Sequence, residues 1–366
     1  MMRIIDVVIR FIVGGLFIFS GLIKLNDPIG TEIKLEEYFG VFAADFGSLF
    51  ELFIPIALPI GMILIVLEIV LGVAVLINYN MKKTTWLLLL LILFFSFLTF
   101  YSAYFDKVTD CGCFGDAIKL TPWESFYKDM VLLVLIAHLF FYRRKYEPLL
   151  RTRSGNSVII ATTFLSFYLG VLAVRHLPFI DFRAYKIGNN IPEQMIPAEQ
   201  PVIEYVFEKN GEEVRSEKYL SADDGYTYKE SSVLNADATV PKITDYNVID
   251  VEGNDVTEQT YVGMKLLLII NDASKTKLRN MDEIRSLVND LDGKIETMIL
   301  TSSSETTFEP FRHEHQLAAP FYFTDATVIK AMIRSNPGII LLKNGTVLGK
   351  WHHNDTPSLN EIVNIL

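Results

Sequence analysis

The feature that most constrains this chain is a series of long, uncharged apolar runs confined to its first half. A helix needs about 20 mostly apolar residues to cross the hydrocarbon core of a bilayer. Five segments approach that requirement: Ile4 to Ile23, Phe53 to Ile77, Trp86 to Phe105, Trp123 to Tyr142 and Ser157 to Val174. The fourth is the weakest, because Glu124, Lys128 and Asp129 sit in its first turns and the purely apolar stretch from Met130 to Tyr142 is short. The 51% hydrophobic content of the 366 residues is therefore an average over two unlike halves, since residues 180–366 read as an acidic globular sequence. The expected architecture is an α-helical transmembrane bundle followed by a soluble domain. The first run has no small-residue cleavage site and leads into further spans, so it reads as a membrane helix rather than a signal peptide.

Loop charges set the expected orientation. Lys82 and Lys83 lie between spans two and three, and Arg143, Arg144, Lys145, Arg151 and Arg153 between spans four and five. The opposite loops hold only Lys34, Lys107 and Lys119, among many acidic residues. Lys and Arg near span ends favour the cytoplasm. The N-terminus is expected inside, in the cell's inner (cytoplasmic) membrane, and five spans place the residues after 175 outside.

The chain has two cysteines, Cys111 and Cys113, in Thr-Asp-Cys-Gly-Cys-Phe-Gly-Asp on the loop between spans three and four. Gly112 frees the backbone to bring the sulfurs together, and Gly115 gives the same freedom just beyond. A disulfide across one residue closes a small ring, and strained, exposed disulfides tend to be labile and catalytic. Thr121-Pro122-Trp123-Glu124 reads as a capping box that starts the fourth span, with a helix N-terminus able to lower a nearby thiol pKa. A local structural disulfide, two incidental thiols and a soft-metal site are the alternatives. Redox exchange by Cys111 and Cys113 is the leading one.

Several of these residues resemble a known family. Arg10-Phe11-Ile12-Val13-Gly14-Gly15, Ser20-Gly21-Leu22-Ile23-Lys24-Leu25, Glu68-Ile69-Val70-Leu71-Gly72 and Cys111-Gly112-Cys113-Phe114-Gly115 are similar to the motifs of DoxX/MauE-type membrane proteins. The resemblance covers about residues 1–145. It implies a four-helix, redox-associated membrane module, linked to disulfide formation in exported proteins and to electron transfer into the quinone pool.

Ionisable residues at membrane depth are costly and usually paired. Glu68 lies near the middle of span two and Arg10 in the inner part of span one, so Arg10 is expected to reach toward Glu68 by snorkelling. A register-locking ion pair and a proton path or quinone-headgroup contact are the two readings of these residues. For Lys24, at the outer end of span one, Glu51 or Glu124 is the expected partner. His138 reads as an interfacial or packing residue.

The expected division is a membrane module over 1–145, a basic loop and fifth span over 146–178, a β-rich connector over 179–239 and a final domain over 240–366. Val202 to Gly211 suggests a strand and turn within the connector. Tyr246–Asp250 and Asn254–Thr257 suggest a short hairpin. Beyond it, strands Met264–Ile270, Ile295–Thr301, Phe321–Thr324, Ile339–Lys343 and Thr346–Trp351 alternate with helices Lys275–Leu291, Thr307–His315, Ala326–Ile333 and Ser358–Leu366. The alternation argues an α/β domain, similar to the thioredoxin fold in its membrane-anchored, TlpA-like form. Asn336-Pro337-Gly338 stands where that fold places a cis-proline, so Pro337 is expected to be cis. The segment that would hold thioredoxin's thiols reads Ala273-Ser274-Lys275-Thr276-Lys277 and contains none, so this domain cannot itself exchange disulfides. His313, His315, His352 and His353 read as surface residues.

Two functions follow. One is a membrane thiol–disulfide oxidoreductase passing electrons between exported proteins and a quinone. The other is a non-enzymatic cell-envelope scaffold whose outer domain docks a partner complex. The sequence offers no basic stripe for nucleic acid, no phosphate-cradling glycine motif for a nucleotide enzyme and no embedded charge array for a channel.

Overall fold

The computed structural model describes residues 2–108, 112 and 114–365, so Cys111 and Cys113 lie outside the described residues. The chain divides into two compact units, Met1–Arg183 and Ala184–Leu366.

The first unit is helical throughout. Its helices are α1 (Met2–Asn26), α2 (Pro28–Phe46), α3 (Ala57–Leu76, entered through a 3-10 segment, Ser48–Ile56), α4 (Met81–Phe105), α5 (Pro122–Phe141) and α6 (Thr152–Arg175). Among the described residues four helical stretches are long and apolar enough to cross a membrane: Ile4–Asn26, Ser48–Leu76, Met81–Phe105 and Thr152–Arg175. This is a multi-pass membrane protein. The remaining expected span, α5, falls short because of its charged first turns, yet it packs along the whole of α4. Phe126 meets Phe100 near one end and Phe140 meets Trp86 near the other. Its charges turn inward and pair, as described below.

Four helices make the bundle core. Ile9, Val13 and Phe17 of α1, Leu71 and Val75 of α3, Leu88, Leu91 and Ile92 of α4, and Leu132, Ile136 and Leu139 of α5 form one buried cluster. In lipid, close helix approach rests on small residues and van der Waals packing rather than on hydrophobic exclusion from water. Gly14 and Gly72 supply that approach: a Cβ on Gly72 would stand 2.8 Å from the Gly14 carbonyl oxygen, and one on Gly21 would stand 2.5 Å from Ile69 Cγ1. These contacts lock an antiparallel register in which residue 14 of α1 faces 72 of α3 and residue 21 faces 69. The sixth helix packs against α3 from outside this core, burying Ser166, Gly170 and Ala173 and exposing Phe164 and Tyr168.

Helix α2 was read as loop in the sequence. It starts at Asp27, whose side chain accepts the Gly30 N–H, with Pro28 in the first turn, an arrangement that suits a helix start. Tyr38 and Phe42 of α2 pack against Leu98 and Tyr101 of α4, and the Tyr38 and Ser102 hydroxyls are 2.7 Å apart. The Asp45 carboxyl is held below the usual range, first by the Tyr101 hydroxyl that donates to it and then by Lys107 at 3.1 Å.

The second unit opens with a one-turn helix, α7 (Ile191–Gln194), and a small sheet of β1 (Ile203–Lys209), β2 (Glu212–Ser216) and β3 (Thr227–Val233) in the order β2-β1-β3. The expected strand and turn form, and with β2 they make a hairpin turning through Asn210 and Gly211, both at positive φ, which suits a two-residue hairpin loop. A second one-turn helix, α8 (Ala236–Thr239), follows. The main sheet has five strands, β4 (Met264–Ile270), β5 (Glu296–Thr301), β6 (Phe321–Phe323), β7 (Gly338–Lys343) and β8 (Thr346–His352), ordered β6-β5-β4-β7-β8. Strands β4, β5 and β6 are parallel, and β7 and β8 antiparallel. Helices α9 (Met281–Leu291), α10 (Glu305–Glu314), α11 (Ala326–Met332) and α12 (Leu359–Ile365) complete the α/β unit.

The Asn336–Pro337 bond is cis, immediately before β7. Strand order, strand directions and this proline bear out the thioredoxin-like reading. Both edges of the sheet are covered, which removes a template for unwanted pairing. Residues 188–191 bond to the β7–β8 hairpin, through Gly188 N–H to Val347 O and Ile191 N–H to Gly345 O, and Ile249 exchanges backbone hydrogen bonds with Phe323. The expected hairpin over 246–257 reduces to a bridge between Ile249 and Asp255, because Asp250 closes a tight turn with its side chain on the Glu252 and Asn254 N–H groups.

Candidate functional site

The register of α1 on α3 decides which intramembrane charges meet. Ser20 and Lys24 are four residues apart, hence on one face of α1, and that face opposes Glu68. Lys24 Nζ stands 2.5 Å from Glu68 Oε1, and the Ser20 hydroxyl donates to Oε2 at 3.0 Å. Glu68 is 2% exposed. The expected pairing of Arg10 with Glu68 is not formed. Arg10 is ten residues before Ser20, about 15 Å along the helix, and the same register sets it against the end of α3. There its guanidinium donates to Asn78 Oδ1 and to the Asp6 carbonyl. Lys24 likewise pairs with neither Glu51 nor Glu124. Glu124 is committed to Thr121 in the expected capping box, which forms in full.

A second ion pair completes the cluster. Lys128 Nζ is 3.0 Å from Asp129 Oδ1, and the Thr99 hydroxyl of α4 donates to Asp129 Oδ2 at 3.1 Å. Asp129 is 1% exposed. Two ion pairs are therefore gathered at Glu68, where the sequence reading expected Arg10. Both pairs line a cavity of about 30 Å³ together with Ser20, Phe17, Phe95 and Phe114. Two rings bound its cationic side: Lys24 Nζ lies 4.7 Å from the Phe95 centroid and Lys128 Nζ 5.0 Å from the Phe114 centroid. Such contacts stabilise a desolvated ammonium group.

This cavity reaches, at Phe114, the end of the segment that carries the cysteines in sequence. Phe114, the residue directly after Cys113, is buried in its wall. Gly112, between the two cysteines, has φ +63°, and a Cβ there would lie 3.2 Å from Lys34 Cγ of α2. Gly112 thus serves two needs, a left-handed backbone and close approach to α2. Gly115, at φ +50°, packs near Ile23. Sequence reasoning identified Cys111, Cys113, Gly112, Gly115, Lys24 and Glu68. It missed Lys128, Asp129, Thr99, Phe114 and Lys34 as parts of one locality. The signal was available in Lys128 and Asp129: charges on a helix that must pack in lipid require partners.

At the far end of the bundle His138 Nε2 is 2.8 Å from Asp6 Oδ1, and the Tyr146 hydroxyl donates to the same oxygen at 3.2 Å. His138 therefore belongs to a polar cluster rather than to simple packing.

Residues 2–142 match a family model described as methylamine utilisation protein MauE. The match ends at the close of α5 and so takes in α1 to α5, with α6 beyond it. The chain is also 31% identical over 144 residues to Protein TlpB of Flavobacterium psychrophilum, an alignment covering 37% of this chain and 36% of that protein. The chain thus spans about a third of the length of that curated relative. Among solved structures it is similar to a putative thioredoxin from Neisseria meningitidis (16% identity, TM-score 0.27, covering 33% of this chain and 83% of that one). A thiol peroxidase from Chromobacterium violaceum is similar at 16% identity and TM-score 0.26, covering 34% of this chain and 82% of that one.

In the second unit, the segment after β4 that holds thiols in thioredoxins is tied to the cis-proline loop. Asn336 Nδ2 donates to Asp272 O at 2.8 Å, and Lys277 N–H donates to Asn336 O at 3.0 Å. His352 and His353, read as surface residues, are buried and their rings lie 4.0 Å apart. A 3-10 turn at His353–Asp355 folds the second ring back against the sheet end. There His353 Nδ1 is 3.0 Å from Ser335 Oγ and its N–H donates to that oxygen at 3.1 Å. Burial holds the His353 pKa below its ordinary value. His313 is exposed and pairs with Glu309 at 2.9 Å.

Proposed function

We propose that this chain is a membrane thiol–disulfide redox protein in which Cys111 and Cys113 exchange electrons between exported proteins and a membrane quinone. In this reading the N-terminus is cytoplasmic and the cysteine loop and second unit face the outer side of the inner membrane. A thiolate of a client dithiol attacks the Cys111–Cys113 disulfide and forms a mixed disulfide. The client's second thiol displaces it, leaving the client oxidised and Cys111 and Cys113 as thiols. The pair then gives two electrons and two protons to a quinone, which becomes quinol, and the disulfide is restored. The observation that carries this reading is the placement of the chain's only two thiols around Gly112, on a loop whose Phe114 walls a cavity lined by two buried ion pairs. A cavity of about 30 Å³ suits one or two water molecules, so it supports proton handling, with the quinone ring bound outside it. The sequence expectation of a headgroup contact at Arg10 loses its support, since Arg10 is engaged at the far end.

The test is trapping. Cys111→Ser and Cys113→Ser variants each leave one thiol, and one of them should accumulate mixed disulfides with exported proteins in cells. Absence of such adducts from both, with client proteins normally oxidised, contradicts the proposal.

A scaffold remains the second reading, supported by a thioredoxin-like unit with no cysteine, in which the segment after β4 is tied by hydrogen bonds to the Asn336–Pro337 loop. It predicts that a Cys111→Ser/Cys113→Ser double variant keeps full function while deletion of 240–366 abolishes it.

A further inference from the structure

Two clusters of charged groups stand at opposite ends of the bundle core, with an apolar layer between them. One is the cavity cluster of Lys24, Glu68, Lys128 and Asp129. The other, at the far end, gathers Asp6, Arg10, Asn78, His138 and Tyr146. On α5, Asp129 and His138 are nine residues apart, about 13 Å along the helix axis. Val13, Leu71, Val75, Leu88 and Ile136, all buried members of one apolar cluster, fill that interval. Protons move along hydrogen-bonded groups and waters, and an apolar, close-packed layer offers neither.

We infer that the Lys24–Glu68 and Lys128–Asp129 cavity is the proton-exchange site of the thiol chemistry, and that the apolar layer seals it from the far cluster. The inference rests on the redox reading above. Before a thiol sulfur can give up electrons it must lose its proton. Asp129 is the carboxylate suited to take it through a cavity water, because its partner Lys128 is the more exposed lysine of the two pairs and lies against Phe114 beside the loop. As Lys128 turns out toward the loop, one Asp129 oxygen is released to bind the proton. The S–S bond then forms, two electrons pass to the quinone, and the two thiol protons, one of them held by Asp129, complete the quinol. Asp129 returns to the carboxylate and recovers Lys128. Glu68, held on both oxygens by Lys24 and Ser20, fixes the opposite wall. No proton crosses the layer around Val13 and Ile136.

The experiment is single-turnover oxidation of the reduced, full-length protein in detergent by a short-chain benzoquinone, read as loss of alkylatable thiol from about pH 6 to pH 10. A base that removes a thiol proton matters below the thiol's ordinary pKa of about 8.5 and not above it. Asp129→Asn should therefore slow the reaction about 100-fold at the acid end and leave it near wild-type at the alkaline end. Asp129→Glu should restore part of the acid-side rate, and Asp6→Asn, in the far cluster, should change nothing at any pH. An unchanged Asp129→Asn rate, or an equal loss at every pH, overturns the inference and leaves the redox reading standing. An acid-side loss in Asp6→Asn overturns the one-sided path. If the benzoquinone does not oxidise the wild-type pair at all, the quinone redox reading fails, and this inference with it.

Discussion

Lys24 Nζ and Glu68 Oε1 stand 2.5 Å apart inside the bundle because Gly14, Gly21 and Gly72 let α1 and α3 cross almost backbone to backbone. Two residues 44 positions apart in sequence are thereby set at one depth, in a cavity that Phe114 also lines. The pairing links the packing of the helical unit to its proposed chemistry, since the same register holds Arg10 away from the site.

Breaking that pair from one side should be costly. Glu68→Ala leaves an ammonium group buried without its counter-ion, a loss of about 3 kcal/mol, whereas a Glu68→Met/Lys24→Met double variant should lose much less. Helical circular dichroism during thermal unfolding in detergent measures both. Equal destabilisation by the single and double variants would show that the pair contributes shape rather than charge compensation.

The glycines supply an internal control. Gly72→Ala places a methyl group 2.8 Å from the Gly14 carbonyl oxygen and 3.0 Å from Ile18 N, atoms that cannot turn aside. It should cost about 1–3 kcal/mol. Gly15→Ala, with nothing within 4 Å, should be neutral or slightly stabilising in the same unfolding measurement.

The fold was largely legible in the sequence where a single periodicity dominates. Leu266–Ile270 is an unbroken apolar run ending at Asn271, and the strand Met264–Ile270 expected around it is β4 to the residue. The capping box at Thr121 and the cis bond at Pro337 were likewise visible from local chemistry. Helix α2 was hidden because Glu32, Lys34, Glu36 and Glu37 suggested a loop between spans; its buried stripe of Leu35, Tyr38 and Phe42 is narrow. The site was half legible. Cysteine spacing announces the loop, but the partner of Glu68 depends on how two helices cross, and that crossing is set by glycines whose meaning appears only when both helices are in place. His352 and His353 were misjudged for the same reason, since burial at a strand end is a tertiary property.

Gly112 should resist any side chain. At φ +63° a non-glycine residue costs about 1–2 kcal/mol, and its Cβ would press on Lys34. Gly112→Ala should slow thiol exchange with a small-molecule disulfide several-fold while leaving the unfolding temperature of the bundle little changed. A wild-type exchange rate in that variant would separate the loop's conformation from its reactivity.

Acid should loosen the second unit through His353. Burial lowers its folded pKa, so the folded state favours the neutral ring and the unfolded state binds the extra proton. The contribution is fully present above the unfolded value of about 6.5 and is lost as pH falls from there through the folded pKa. Hydrogen exchange at β7 and β8 should therefore quicken, beyond its intrinsic pH trend, as pH falls below about 6.5, and a His353→Asn variant should lack that excess. The same excess in the variant would assign the acid response elsewhere.

The central claim is that Cys111 and Cys113 cycle between disulfide and dithiol with electrons leaving toward a quinone. Its most direct test is mass-tag alkylation of the two thiols in intact cells, with and without quinone depletion. The account predicts a pair that is mostly oxidised in normal cells and accumulates as the dithiol when quinone is removed. A pair whose redox state is the same in both conditions would contradict it.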